Sequence, residues 1–100
     1  MIKYQDEADA LLKAAWPKCD TIASKLQSCG VSALPALEYA AKSRVHHARS
    51  ACLRSIHALN PEKGKMMADT MLRDRAYEVR ETAAKILGIA VPDKPEAKKP

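Results

Sequence analysis

Apolar side chains recur along this chain at three- and four-residue steps rather than in alternation, which is the spacing of helices with one buried face. Six such segments can be marked. The first runs from about Gln5 to Ala15, with Leu11, Leu12 and Ala15 at helical spacing. Pro17 opens the second, in a first turn where a missing N–H costs nothing. Ile22, Ala23 and Leu26 give that helix its apolar face, and Cys29-Gly30 closes it. Ser32 is positioned to N-cap a third helix carrying Leu34, Leu37, Ala40 and Ala41. The fourth runs from about His46 to Leu59, with Val45, Cys52, Ile56 and Leu59 on one side, and Asn60-Pro61 stops it. Residues 62–73 form the fifth, rich in methionine (Met66, Met67, Met71). The sixth, about Glu78 to Ile89, presents Val79, Ala83, Ile86 and Leu87. Beyond Val91 the segment PDKPEAKKP is Pro-rich and charged, so residues 91–100 are expected to be a disordered tail.

The pattern repeats. Leu26, Ile56 and Leu87 hold matching places in the second, fourth and sixth helices, as do Ile22, Cys52 and Ala83. Sliding the chain by 30–31 residues therefore superposes three helical hairpins, at about 5–29, 31–60 and 62–90. The expected fold is all-α: one domain over residues 1–90, its three antiparallel hairpins stacked as an α-solenoid. One hundred residues leave no room for a second core.

The stretch LRDRAYEVRETAAKILG, Leu72–Gly88, resembles the second half of a HEAT repeat. In that family an Asp in the turn between helices precedes, by six residues, an Arg at the start of the second helix. Here these are Asp74 and Arg80, with Val79 before the Arg and Leu87-Gly88 closing the helix. The preceding repeat carries the family's Pro at Pro35 and the matching Arg at Arg49, with Ser43 in place of the Asp. In residues 5–29 Lys18 replaces the Arg, and only the period joins that segment to the others. The resemblance implies a right-handed stack whose second helices line a concave face. On the helical wheel Arg49 lies about 60° from Cys52, on the shoulder of the apolar side. A half-buried guanidinium there needs a carboxylate, and Asp74 of the next hairpin is the expected partner. Arg49, Asp74 and Arg80 are therefore read as structural.

Composition narrows the function. The apolar 47% of the chain contains no Phe and is carried by Ala, Leu, Ile and Met, suiting close-packed helices. No apolar run approaches the roughly 18–20 residues that span a bilayer, and Met1–Glu7 is too polar for a secretory leader. The expectation is a cytoplasmic protein. Cys19, Cys29 and Cys52 are odd in number and form no CxxC, so they read as small buried thiols. The net charge of +5 is local: residues 41–65 hold six cations against Glu62 alone, together with all three histidines.

No phosphate loop, GxSxG, HExxH or paired metal-spaced cysteines occur, so no enzymatic activity, cofactor or metal is expected. His46, His47, Cys52 and His57 look ligand-like, but His57 and His46 sit about 140° and 120° from Cys52 around their helix and do not converge. Two sets of surface positions remain. The repeat alignment places Asp20, Ser24, Gln27, Ser50, Arg54, His57, Glu81 and Lys85 along the expected concave groove. Trp16, His46 and Tyr77 recur along the hairpin-turn edge beside Arg44 and Arg75. These rings either form a recognition edge or cap their own hairpins. The leading expectation is a protein-interaction module that binds another protein or self-associates through its C-terminal repeat. The alternative is nucleic-acid binding through the basic middle repeat, in which Arg54 and Lys85 would meet phosphates.

Overall fold

The computed structural model describes residues 3–15 and 18–92. Among these residues six α-helices form: α1 (Gln5–Lys13), α2 (Lys18–Ser28), α3 (Leu34–Ala40), α4 (His46–Leu59), α5 (Pro61–Met71) and α6 (Tyr77–Leu87). No strand occurs among the described residues. The radius of gyration is 13.1 Å, matching the ~13 Å of a compact 100-residue domain. Among the described residues no helix is long and apolar enough to cross a membrane. Trp16, Pro17 and residues 93–100 lie outside the described residues, and with them Pro17 as a helix start and most of the expected tail.

Local chemistry sets the helix ends. Asn60 serves two helices: its N–H donates to the Ile56 carbonyl at 2.8 Å to finish α4, and its side-chain oxygen accepts from the Lys63 N–H at 3.1 Å. Pro61 follows at the first position of α5, where its fixed φ is pre-organised. Gly88 takes a left-handed conformation (φ 72°) that ends α6 two residues short of Ile89, and the Ile89 N–H returns to the Ala84 carbonyl at 3.0 Å. α1 likewise stops at Lys13, because Ala14 is already extended. Ser32 is not an N-cap. A 3-10 turn over Val31–Ala33 precedes α3, and the Ser32 hydroxyl donates back to the Cys29 carbonyl at 3.3 Å.

α4 is the centre of the molecule. It packs against α2, α3, α5 and α6, while α1 packs on α2 and α3, and α5 on α6. Small residues make this possible: α4 buries Ala48, Ser50, Ala51, Cys52, Leu53, Ser55 and Ile56. Gly64 of α5 lies against it so closely that a Cβ there would stand 2.5 Å from the His57 Cα. Leu11, Cys19, Leu26, Leu37, Cys52 and Ile56 form one apolar cluster with surrounding alanines. Leu53, Ala68 and Ala83 form a second, flanked by the half-buried Met67, Met71, Ile86 and Leu87. Leu87 is therefore less enclosed than its repeat partners Leu26 and Ile56. Cys19 and Cys52 are buried, but Cys29, expected inside, is exposed at the end of α2.

Candidate binding surfaces

The face shared by α2, α4 and α6 carries a polar network rather than a row of free side chains. Asp20 on α2 accepts from Arg54 Nη2 at 3.0 Å through Oδ1, and its Oδ2 lies 3.1 Å from His47 Nε2. The other ring nitrogen of His47 lies 2.6 Å from Glu78 Oε2, and His46 Nδ1 lies 2.8 Å from Glu78 Oε1. Arg54 Nη1 donates to the Ser50 hydroxyl at 2.9 Å, which is 2.6 Å from the Thr82 hydroxyl. Thr82 donates onward to the Glu78 carbonyl at 3.0 Å. These contacts tie three helices together and occupy much of the polar capacity of the face.

Of the eight groove positions read from the sequence, Arg54, His57, Glu81 and Lys85 do meet, in a cleft of about 360 Å³ completed by Glu78, Thr82 and Ile86. Asp20 reaches it through Arg54. Ser24 and Gln27 lie exposed on α2, outside that cleft. Ser50 is a correction: it is fully buried and bonded to Thr82, because α6 covers the side of α4 that the wheel left open. Glu78 and Thr82 join this face without having been singled out, and His47, noted only as ligand-like, joins it too; in a repeat alignment all three look like ordinary solvated positions.

At the turn edge, Trp16 lies outside the described residues. Arg44 and Arg75 are exposed beside a cleft of about 470 Å³ that also takes in Lys42, Ser43, Arg49, Arg73 and Asp74. His46 is turned toward Glu78. Tyr77 is largely exposed, with the Arg80 guanidinium 5.8 Å from its ring centre.

Arg49 binds Asp74 through two parallel bonds, Nε to Oδ2 and Nη2 to Oδ1, each 2.8 Å. Its third nitrogen donates to the Ser43 carbonyl at 2.9 Å. Burial pushes the Asp74 carboxyl up, but the hydrogen bonds and charge of Arg49, the Ala76 N–H and the charge of Arg75 outweigh it and hold the carboxyl below its ordinary 3.8. Arg80 behaves differently. It is 6% exposed, donates to the Asp74 carbonyl at 2.9 Å and to the Pro92 carbonyl at 3.2 Å, and meets no carboxylate among the described residues. Arg49 and Arg80 thus make the same six-residue reach to a turn carbonyl, but among the described residues only Arg49 of the two has an anionic partner.

A third surface opens between α3 and α5. Glu38, Lys42, Lys63, Met66, Met67, Thr70 and Met71 line a mainly apolar groove of about 520 Å³, with Lys63 and Glu38 paired across it at 2.9 Å. Met66 is 73% exposed there. Ile89 and Val91 do not cover it; the chain after Gly88 turns toward α6, where Pro92 meets Arg80.

Among the described residues no group of three or more His, Cys, Asp or Glu is arranged to hold a metal ion. Burial and the neighbouring Cys19 push the Cys52 thiol up to about 12, leaving it protonated and unreactive at neutral pH. Compared with known proteins, the chain matches no family model, no curated protein and no solved structure.

Proposed function

We propose that the six helices are three HEAT-type hairpins, α1–α2, α3–α4 and α5–α6, stacked in one direction, and that the chain is a protein-binding module rather than an enzyme. The contacts of α1 with α3, α2 with α4 and α4 with α6 agree with such a stack. So does the Arg49–Asp74 pair, which would be one rung of an Asp–Arg ladder running through the turns.

The observation that carries the binding reading is the methionine groove. A large, unbranched side chain such as Met66 is not left 73% exposed in an apolar groove without cost, since apolar area in water is unfavourable by about 25 cal/mol per Å². Methionine suits a contact surface because its flexible, polarisable thioether repacks against differently shaped partners. The groove fits the apolar side of a partner helix, and the Glu38–Lys63 pair at its margin supplies polar contacts.

A photoreactive amino acid tests this. With benzoylphenylalanine replacing Met66 in the native host, one discrete protein adduct is expected, and Met67→Asp should abolish it. The same label at the exposed Thr21 of α2 is the control. Equal adducts from both positions would overturn the assignment. A second copy of this chain is the competing occupant, and the adduct's mass separates the two.

A further inference from the structure

Two shallow clefts join at one edge of the molecule. One, of about 470 Å³, lies between the α3–α4 and α5–α6 turns; the other, of about 390 Å³, lies between the end of α1 and the α3–α4 turn. They share Lys42, Ser43 and Arg44, and so form one continuous track. Five exposed cations border it: Lys13, Lys42, Arg44, Arg73 and Arg75. Among the described residues the one side-chain ion pair in the track is Arg49–Asp74, and none of these five cations belongs to a pair. Among the described residues the single acid lining the track is Asp74, and Arg49 already engages both of its oxygens.

The arrangement is regular. Lys13, Arg44 and Arg75 recur at 31 residues, and Lys42 and Arg73 repeat the same interval. Bonds between turns hold the rows in place: the Ser43 hydroxyl donates to the Leu12 carbonyl at 2.7 Å, and Arg49 grips Asp74 at 2.8 Å. Packed helices lie about 8–10 Å apart, so three neighbouring turns extend over roughly 20 Å. A nucleic-acid duplex presents roughly twelve phosphates over that length.

We infer that this edge binds the phosphodiester backbone of double-stranded nucleic acid, recognised by charge and spacing and not by base sequence. Three of the five cations are arginines, whose planar fork matches phosphate oxygens. Apart from the half-buried Leu12 and Val45, the clefts are lined by charged and polar groups. A membrane surface or a peptide would call for exposed apolar anchors, and none lines the track among the described residues. The α2–α4–α6 face is less suited, because Arg54 is committed to Asp20, and Glu78 and Glu81 stand in its cleft. The inference is independent of the methionine groove; the two surfaces share only Lys42 among their lining residues.

Fluorescence anisotropy with mixed-sequence 20-base-pair DNA and RNA duplexes tests it, the two probes separating the possible sources of the backbone. Five phosphate contacts on DNA give a slope of log affinity against log salt of about −4.5, so raising salt from about 50 to 200 mM weakens binding about 500-fold. R44A/R75A removes two contacts: it should flatten the slope by about 1.8 and weaken binding about 60-fold at 0.1 M salt. K42A/R73A gives the same reduction through an independent pair, and K25A on α2, outside both clefts, leaves binding unchanged. All these side chains are exposed, and the helical circular-dichroism signal verifies folding. No duplex binding at 50 mM salt, or an unaltered slope in both double variants, would overturn the inference. So would tighter binding of poly-glutamate or phosphatidylserine vesicles through the same arginines, which would reassign the edge to an acidic protein or a membrane.

Discussion

Asp74→Ala removes the carboxylate that receives both parallel bonds of Arg49. The two side chains are 14% and 13% exposed, so the arginine left behind is largely shielded from water. Breaking a buried pair by removing one partner costs about 3–5 kcal/mol, and the residual exposure puts this case at the low end, about 3. That is a large share of the ~5–15 kcal/mol stability of such a domain, and it lowers Tm by roughly 12–24 °C. Arg49→Ala should cost a similar amount. The double variant leaves neither charge unpaired, so its loss should fall about 2 kcal/mol short of the sum. Arg80 supplies the contrast: it donates to the Asp74 main-chain carbonyl, which alanine retains. Arg80→Ala and Asp74→Ala should therefore add within about 0.5 kcal/mol. Urea unfolding followed by circular dichroism at constant m measures the three single and two double variants, with trimethylamine oxide added if a double variant is already unfolded. Because the folded Asp74 carboxyl lies below its ordinary 3.8, its stabilisation is fully present above that pH. It is lost as pH falls through the lowered folded value, and the gap between natural chain and Asp74→Ala should close there. Strict additivity for Arg49 with Asp74, or coupling as large for Arg80, would refute the assignment of the rung.

Gly64→Ala has a decisive sign: helix propensity alone would stabilise α5 by about 1 kcal/mol. The clash of the new Cβ with His57 at 2.5 Å should instead produce net destabilisation of about 1–2 kcal/mol, and a raised Tm would contradict the close α4–α5 approach. Ile56→Asp should unfold the protein, since Ile56 is fully buried in the first cluster. Leu87→Asp should leave a folded but weakened domain, because Leu87 is only half-buried; equal circular-dichroism melts for the two would be the contrary result. Iodoacetamide should label Cys29 alone in the native state, with Cys19 and Cys52 reacting only in urea. Mass spectrometry showing native-state labelling of Cys52 would contradict its burial.

The six helices and several of their ends were legible in the residues, because these depend on short-range geometry. α4 runs from His46 to Leu59 as its periodicity requires, Asn60-Pro61 separates α4 from α5, and Gly88 supplies the left-handed residue that stops α6. Side-chain spacing, capping oxygens and positive φ act within one or two turns of chain, so a sequence displays them directly. Which faces are covered is a different matter. A helical wheel assigns α4 one apolar side, but four other helices surround it, and Ser50 and Ser55 are buried there with hydroxyl and carbonyl partners. The same dependence on neighbours turned Cys29 outward, let Gly64 seat α5 on α4, and left Met66 open beside α3. The cation rows show the division most clearly. Lys13, Arg44 and Arg75 stand at a constant interval in the sequence, yet only the packing of successive turns brings them to one edge while Asp20, Glu78 and Asp74 are spent on other partners. Periodicity is a property of one chain segment; exposure and pairing belong to the surfaces that segments present to one another.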